Sequence, residues 1–210
     1  MGLGGGPSEW DEYEWFRLAD VPTPVATKAG PLADAVCALL ERTPLWPADS
    51  GTRVLLVDLD NLRAEPTRWR ARMAVVVTLA RQAEHVVLAG QVGAVTRARP
   101  HLAEFAARAH AVPDGSDLAD HVLLDAAADI ESDAVQVVVV SNDGIFAMLA
   151  DRGPLTVLSP GNDALSDRLR DAATLVVDLA ALEEEAKTAR PAQRRVRTKA
   201  AIGAAARSGR

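Results

Sequence analysis

Two short apolar runs that end abruptly in polar residues place the tightest constraint on the fold of this chain. The run 54–57 ends at Asp58, and the run 137–140 ends at Ser141. A short apolar run of this kind is typical of a strand that is covered on both faces in a parallel sheet. The sequence therefore predicts a parallel sheet with polar side chains at the ends of its strands.

Segments with helical and extended character alternate along most of the chain. The predicted strands lie at 54–57, 85–90, 110–113 (weak), 137–140 and 155–160, and a last strand follows. The predicted helices alternate with them: one begins at residue 31, others lie at 66–83, around 99–109, at 116–130 and at 163–172, one is closed by Gly153, and one follows the last strand. This alternation predicts a doubly wound, mostly parallel α/β sheet with helices on both faces.

Composition divides the chain into an arm, one domain and a tail. Residues 1–30 combine a Gly-rich start with a Pro-containing stretch and are predicted to be an arm, whereas 31–186 form the domain, with its motifs in 53–180. One domain suits a length of 210 residues, because domains usually contain roughly 100–200 residues. An aromatic cluster in the arm predicts docking, either on the domain itself or on a protein partner; its members are Trp10, Tyr13, Trp15 and Phe16.

The segment 187–210 has the opposite charge to the rest of the chain. Eight of the 23 Lys and Arg residues follow Glu185, and no acidic residue does, so the remainder carries 15 basic against 29 acidic residues. A basic tail with few bulky apolar residues is predicted to be disordered. Such a tail either holds a polyanion near the acidic body or only adds solubility.

The cysteine content and the apolar runs predict a soluble, cytoplasmic protein. The single cysteine, Cys37, excludes an internal disulfide and a thiolate metal cluster, and an intracellular location is the default for such a chain. No apolar run is long enough for a signal peptide or for the roughly 20 residues of a membrane-spanning helix. We therefore expect no membrane contact.

Acidic side chains stand where parallel sheets bind ligands, beyond the carboxyl ends of the strands. Asp58 and Asp60 follow the first apolar run, Asp143 follows the later one, and Asp120 lies near the start of a predicted helix. Each acid alone is also an ordinary turn or cap residue. Together they would repel one another unless a cation is present, and oxygen ligands suit Mg²⁺ or Mn²⁺. We expect Asp58, Asp120 and Asp143 to hold such an ion and to be catalytic in phosphodiester hydrolysis.

The segments VLLVDLDNL and SDLADHVLLDAA carry a resemblance to a known family. The first resembles the opening motif of NYN domains, a branch of the PIN-like nucleases, in which an apolar strand is followed by Asp and, three residues later, Asn; Asp58 and Asn61 stand at those positions. The second is similar to the central helix motif of that family, with Asp120 as its acid. Ser116 is the predicted N-cap of this helix, with Asp117 in its first turn, where negative charge suits the helix dipole.

The segment VVVVSNDGIFAMLA extends the resemblance. It resembles the fourth-strand motif of the family, Ser-x-Asp-Gly-x-Phe, with Ser141, Asp143 and Phe146 at the matching positions. The resemblance implies a PIN-like fold, RNA as the substrate and the activity of a Mg²⁺- or Mn²⁺-dependent endoribonuclease. The residues predicted to support the three catalytic acids are Asp60, Asn61, Asp117, Ser141 and Asn142.

The arginines after the first strand are the candidates for contacts with RNA phosphates: Arg63, Arg68, Arg70 and Arg72. Because the body of the chain is acidic, local basic residues or the tail must supply these contacts. The alternative for the arginines is a solvated helix face. Trp69 among them either stacks on a base or packs in the core.

Two departures from the NYN pattern leave a non-catalytic alternative open. Many relatives have a second acid where this chain has Ile145, and the basic residue often found before the helix motif is missing, with Asp114 before Gly115 instead. Loss of a ligand is compatible with a catalytically weak or inactive module that binds RNA or a protein partner.

A haloacid-dehalogenase-like phosphatase is the second alternative. That class also begins with a strand and Asp-x-Asp, as in Asp58-Leu59-Asp60, and has a strand ending in Ser or Thr, as at Ser141. It also requires a Lys late in the domain, and no Lys occurs between Lys28 and Lys187. A dinucleotide-binding enzyme is disfavoured because no G-x-G-x-x-G follows the first strand.

Overall fold

The computed structural model describes residues 30–46, 51–115, 117–132 and 134–188. Within these residues six strands form one sheet: β1 (Thr52–Asp58), β2 (His85–Gln91), β3 (Ala109–Val112), β4 (Val135–Val140), β5 (Leu155–Ser159) and β6 (Leu175–Asp178). Their order across the sheet is β3-β2-β1-β4-β5-β6, and every neighbouring pair is parallel. The predicted doubly wound α/β fold is confirmed.

Helices pack on both faces of the sheet. In chain order they are α1 (Pro31–Leu40), α2 (Pro66–Ala80), α3 (Val92–Ala98), α4 (Leu118–Ala128), α5 (Asp167–Ala172) and α6, which covers 179–188. One core cluster contains buried residues of α1, α2, α3 and α6, and the other contains buried residues of α4, α5 and the 3-10 helix Gly144–Arg152. The two clusters lie on opposite sides of the strands.

The prediction of a helix around 99–109 is wrong. The α-helix in this part of the chain is α3, which ends at Ala98, and two 3-10 segments follow, Arg99–His101 and Ala103–Arg108. Pro100 has no amide hydrogen to donate to the carbonyl one turn earlier. Ala103 has a φ of 49°, which interrupts the path further. The helix predicted after the fourth strand is present as the 3-10 helix Gly144–Arg152, and Gly153 follows its last residue as predicted.

Successive side chains of β1 pack alternately into the two core clusters, and this alternation determines the sheet face on which Asp58 lies. Leu55 and Val57 belong to the α2 side, whereas Val54 and Leu56 belong to the α4 side, and all four are fully buried. Successive side chains of a strand point to opposite faces. Asp58, at the next even position, therefore lies on the face that carries α4.

The pairing of β1 with β4 brings Asp58 beside Ser141. Val57 pairs with Val140, so the next positions on the two strands are neighbours. Connections leave β1 and β4 in different directions, because β1 continues to β2 on one side and β4 continues to β5 on the other. This is the topological switch point, at which open parallel sheets bind their ligands.

Several predictions fall on residues that the structure does not describe. Residues 1–29 of the arm, 189–210 of the tail and the predicted N-cap Ser116 lie outside the described residues. The described part of α6 includes residues 187 and 188, which the sequence assigned to the tail. In the described parts of the chain, no helix is long and apolar enough to cross a membrane.

Candidate active site

Asp58 is held in one orientation by hydrogen bonds on both carboxylate oxygens. Oδ1 accepts from the backbone N–H groups of Asp60 (3.0 Å) and Asn61 (3.3 Å). Oδ2 accepts from the Ser141 hydroxyl (3.0 Å) and from the side-chain amide of Asn61. Burial raises the pKa of Asp58, and these hydrogen bonds act in the opposite direction. The two polar residues that the NYN resemblance aligned, Asn61 and Ser141, thus position the first acid.

Ser141 also links Asp58 to the segment that carries Asp143. Its hydroxyl oxygen accepts from the backbone N–H of Asp143 at 3.1 Å, and Ser141 is fully buried. Asp143 is exposed and caps the following 3-10 helix, since its Oδ1 accepts from the N–H of Ile145 at 3.0 Å. Asp143 is therefore fixed through one oxygen, and its side chain is open to solvent.

The next loop comes close to Gly144. A Cβ at this position would lie 2.5 Å from Oγ and 3.3 Å from Cβ of Ser166. Ser166 is itself tied to the strand end, because its N–H donates to the carbonyl of Asn142 at 3.0 Å. Asp-Gly in this segment thus combines a site acid with a residue that lets the loop at Ser166 come near.

Asp120 joins the acids of β1 and β4 from the first turn of α4. Its pKa is raised to about 7, first by burial and then by the negative charges of neighbouring carboxylates. In decreasing order of effect, these neighbours are Asp58, Asp143, Asp117 and Asp60. We call Asp58, Asp60, Asp117, Asp120 and Asp143 the acidic cluster. The structure thus brings the three predicted catalytic acids into one electrostatic environment.

Asp60 has one carboxylate oxygen that is hydrogen-bonded and one that is not. Oδ2 accepts from the backbone N–H of Gln91 at 2.8 Å. Oδ1 is buried, and no described residue forms a hydrogen bond with it; the guanidinium of Arg63 lies at 3.6 Å, an ion-pair distance. A buried acceptor without a hydrogen bond is rare in proteins. Asp60 therefore adds to the acidic cluster an oxygen that has an ion-pair partner but no hydrogen bond.

The acidic cluster fits a hard divalent cation in its chemistry. Its donors are carboxylate oxygens, which Mg²⁺ and Mn²⁺ prefer, and the repulsion that raises the pKa of Asp120 is what a cation relieves. As the side chains stand, no group of three or more Asp, Glu, His or Cys residues in the described ranges converges closely enough to hold a metal ion. Direct coordination of one ion by three of these carboxylates therefore requires them to move closer together.

The structure overturns the assignment of Arg72 to nucleic-acid binding. Arg72 is only 5% exposed, and its Nε donates to Glu183 at 2.7 Å. Its remaining donors reach the carbonyls of Pro160 (2.9 Å), Leu62 (3.5 Å) and Arg63 (3.4 Å). A guanidinium enclosed in this way cannot reach a phosphate, so Arg72 is a structural residue.

The other predicted arginines differ in exposure and in pairing, and Arg63 is both exposed and within ion-pair distance of Asp60. Arg68 forms an ion pair with Glu184, and its Nε lies 3.6 Å from Glu183. Arg63 and Arg70 are exposed, as a phosphate contact requires. Trp69 is buried in the core beneath the guanidinium of Arg97, whose Cζ lies 5.8 Å from the ring centre. The indole therefore packs in the core and is not placed to stack on a base.

Two predicted supporting residues have other roles. Asn142 turns toward β5, where its Oδ1 accepts from the Ser159 hydroxyl at 2.6 Å and its Nδ2 donates to the Gly161 carbonyl at 3.4 Å. Asp117 is the N-cap residue of α4 but makes no capping hydrogen bond, and its φ of 65° is left-handed. The α-helix thus begins at Leu118 and not at the predicted Ser116. Asp117 contributes to the site through its charge.

Some residues that shape the site had no clear signal in the sequence. Gly90 at the end of β2 faces Asp60, since a Cβ there would lie 3.3 Å from Oδ2 of Asp60 and 3.0 Å from Cβ of Leu59. The backbone of Gln91 holds the Asp60 carboxylate. A backbone contact does not depend on the type of side chain, so spacing and residue type could not have indicated it.

Comparisons with known proteins add little to this geometry. No protein-family model matches the chain, and no curated protein matches it in sequence. Among solved structures, the chain is similar to a protein of unknown function from Vibrio parahaemolyticus, with 21% sequence identity and a TM-score of 0.40. The match covers 62% of this chain and 94% of that one. At this level of similarity, nothing about function follows from it.

Proposed function

We propose that this chain is a metal-dependent ribonuclease that hydrolyses phosphodiester bonds of RNA. The observation that carries the proposal is the convergence of Asp58, Asp120 and Asp143 from three separate segments, close enough for the charges of the other two to raise the pKa of Asp120. This convergence lies at the switch point of the parallel sheet, between β1 and β4.

The proposed cation is Mg²⁺ or Mn²⁺, held by Asp58, Asp120 and Asp143. When bound, such an ion lowers the pKa of a coordinated water and offsets the charge that develops on a phosphodiester. Asp58 is oriented for this role by Ser141 and Asn61. Because a ligating carboxylate must be deprotonated, cation binding near neutral pH displaces a proton from Asp120.

The choice of RNA rests on the resemblance of three segments to NYN motifs. The residues after β1 also argue against direct phosphate binding by that loop, because Asp58 and Asp60 stand where nucleotide-binding sheets carry glycines. A polyanion can approach these carboxylates only when a cation intervenes. A cation-dependent reaction on a phosphodiester therefore accounts for acids at this position.

A catalytically inactive module that binds RNA is the second candidate. Ile145 occupies the position of an expected acid, and in the structure it contributes a backbone N–H to Asp143. Three of the carboxylates would also have to move closer together to coordinate one ion directly. These two observations favour binding without cleavage.

Incubation of the purified chain with end-labelled single-stranded RNA and Mn²⁺ tests the proposal. We expect cleavage that EDTA abolishes and that Asp58→Asn and Asp143→Asn each reduce by about a hundredfold or more, because each removes a cation ligand. Asp151→Asn is the matched control, since Asp151 is exposed on the same 3-10 helix as the residues after Asp143 and is not among the neighbours that act on Asp120.

Other outcomes assign the chain to the alternatives. RNA binding without cleavage that depends on Asp143 identifies the inactive module. Hydrolysis of a small phosphomonoester that Asp60→Asn abolishes and Asp120→Asn leaves intact identifies the haloacid-dehalogenase-like phosphatase. Cleavage of RNA that survives both EDTA and Asp143→Asn contradicts the ribonuclease proposal directly.

A further inference from the structure

Helix α2 presents arginines on two different faces. Arg68 and Arg72 are four residues apart and therefore share one face, which is occupied by Glu183 and Glu184 of α6. Arg70 lies between them in sequence, on the other side of the helix, and is exposed. No described acidic residue forms an ion pair with Arg70. The same helix thus carries compensated and uncompensated positive charge.

Two further basic residues lie near Arg70 or near Trp69, the residue before it. His101 is close enough to Arg70 for the arginine charge to lower its pKa, in addition to the larger effect of burial. Arg97 in the last turn of α3 is exposed and covers the ring of Trp69, the residue before Arg70. Within the described residues, Arg97 likewise has no acidic partner within ion-pair distance. We call Arg70, Arg97 and His101 the α2–α3 patch.

The α2–α3 patch is connected to the acidic cluster through α3. Gln91, directly before α3, donates its N–H to Asp60. Arg97 follows Val92 by five positions, which corresponds to about 8 Å along a helix. Arg63 lies at the rim of the cluster, with its side chain 65% exposed and 3.6 Å from Asp60. Exposed arginines therefore lie both at the rim of the cluster, at Arg63, and on α2 and α3, at Arg70 and Arg97.

The composition of the surface indicates a polyanion as the occupant. Outside the tail, the chain has 15 basic against 29 acidic residues, so two exposed arginines without a described ion-pair partner, Arg70 and Arg97, stand out from their surroundings. Protein interfaces have an apolar centre. Among the described residues, the exposed large apolar side chains are Val92 and Met148, and of these only Val92 lies on α3 with Arg97. Separate cations without an apolar centre suit a phosphate backbone.

We propose that the α2–α3 patch binds the phosphate backbone of single-stranded RNA whose scissile bond lies at the acidic cluster. This inference rests on the proposed function, because the patch gains its role from the cluster beside it. Arg70 and Arg97 contact phosphates, and Arg63 guides the strand at the rim. Such contacts hold the strand in position and read no bases.

Equilibrium binding of labelled single-stranded RNA to the full-length chain tests this proposal. The parent is Asp143→Asn, measured in Mn²⁺, so that a cation is present at the cluster while cleavage is suppressed. We expect Arg70→Gln and Arg97→Gln each to weaken binding by ~3-fold to 10-fold at moderate salt, and the double variant to lower the slope of log affinity against log salt by about 1 or more.

The matched control is Arg81→Gln. Arg81 directly follows α2 and is exposed, but it is paired with Glu104 at 2.8 Å. We expect its removal to leave RNA affinity unchanged. Because Arg97 also covers Trp69, Arg97→Lys is measured as well, and we expect this variant to retain most of the affinity since it keeps the charge.

The outcomes separate this inference from the proposed function. If Arg70→Gln and Arg97→Gln bind RNA like the parent with the same salt slope, the inference is overturned, whatever the wild-type chain does to RNA. If affinity depends on the patch but the wild-type chain does not cleave RNA, the inference stands and the ribonuclease proposal fails. If the variants lose binding of polyglutamate and keep that of RNA, the patch binds an acidic protein and the inference is wrong.

Discussion

Within the described residues, charged side chains are buried in two places, and the two places differ in whether the charge is compensated. Between α2 and α6, Arg72 faces Glu183, which is fully buried, with donor and acceptor atoms 2.7 Å apart. In the acidic cluster, Asp58 is 2% exposed and Asp120 lies beside it, and the charges there are all of one sign. Arg72 and Glu183 compensate each other's charge, whereas the aspartates of the acidic cluster repel one another.

The difference separates structural charge from charge that requires a ligand. A buried opposite pair with satisfied hydrogen bonds needs nothing further from solvent or substrate. Like charges in a shared environment either take up protons or bind a cation, which is why perturbed carboxyl groups mark functional sites. The pKa of Asp120 is raised to about 7 because it is buried beside like charges that no opposite charge compensates.

The compensated pair also holds the loops around the uncompensated cluster. The guanidinium of Arg72 donates to the carbonyls of Leu62 and Arg63 after β1, and to that of Pro160 after β5. The loop after β5 is tied to β4 in turn, through Asn142 and Gly161. Arg72 and Glu183 thus form part of the scaffold for the switch point.

Breaking the compensated pair is expected to have the largest effect on stability. Glu183→Ala leaves the Arg72 charge buried without a partner, so we expect the free energy of unfolding in urea to fall by about 3–5 kcal/mol. Glu184→Ala, which removes an exposed neighbour of the same type, should change it little. Arg72→Met combined with Glu183→Leu should recover much of the loss; a double variant as unstable as Glu183→Ala would show that the charges themselves are not the cause.

Removing one charge from the acidic cluster with Asp120→Asn is expected to change the free energy of unfolding by an amount that depends on pH. Folding raises the pKa of Asp120 from 3.8 to about 7, so the folded state binds its proton more tightly than the unfolded state does. The wild type therefore loses stability relative to Asp120→Asn as the pH rises between these values. In urea unfolding, the difference in unfolding free energy between Asp120→Asn and the wild type should be smallest near pH 4 and largest at pH 7 and above. A difference that does not change with pH would contradict this.

Cation binding should reduce this difference in stability between the wild type and Asp120→Asn at neutral pH. Adding Mn²⁺ is expected to raise the unfolding midpoint of the wild type, because the ion binds the folded state, and to raise that of Asp120→Asn less. An equal shift in both proteins would show that the ion binds elsewhere.

Removing the hydroxyl that links β1 to β4 should have a smaller effect. Ser141→Ala leaves Oδ2 of Asp58 without one donor and the N–H of Asp143 without its acceptor. We expect a loss of about 1–3 kcal/mol in stability and weaker Mn²⁺ binding by calorimetry. Ser132→Ala is the control, because the Ser132 hydroxyl bonds the Ala134 carbonyl before β4 begins, at the end of the strand opposite Ser141; equal cation affinities in both variants would count against the role of Ser141.

The smallest effect is expected at the glycine that faces Asp60. Gly90→Ala places a methyl group 3.0 Å from Cβ of Leu59 and 3.3 Å from Oδ2 of Asp60, so we expect a loss of about 1 kcal/mol. Gly93→Ala is the matched variant, since nothing lies near its added methyl group and alanine favours helix by about 0.5–1 kcal/mol. Unfolding midpoints that move in the same direction would refute the proposed close approach.

The strands and the positions of the acids could be predicted because they depend on local patterns. A run of apolar residues such as 137–140 reports burial on both faces wherever it occurs, and Asp143 follows such a run. The boundaries of α3 and of α4 were predicted less well, since Pro100 and the left-handed Asp117 acted on the backbone more strongly than apolar spacing did.

The roles of the arginines were decided only by tertiary structure. The spacing of Arg68, Arg70 and Arg72 shows which of them share a helix face, but not what packs against that face. Glu183, which is 111 positions from Arg72 in the chain, makes that face structural. By itself the sequence determined a parallel sheet with acids at its strand ends, because burial and side-chain alternation are local properties. Which charges are compensated depends on contacts between distant segments, and only folding brings those together.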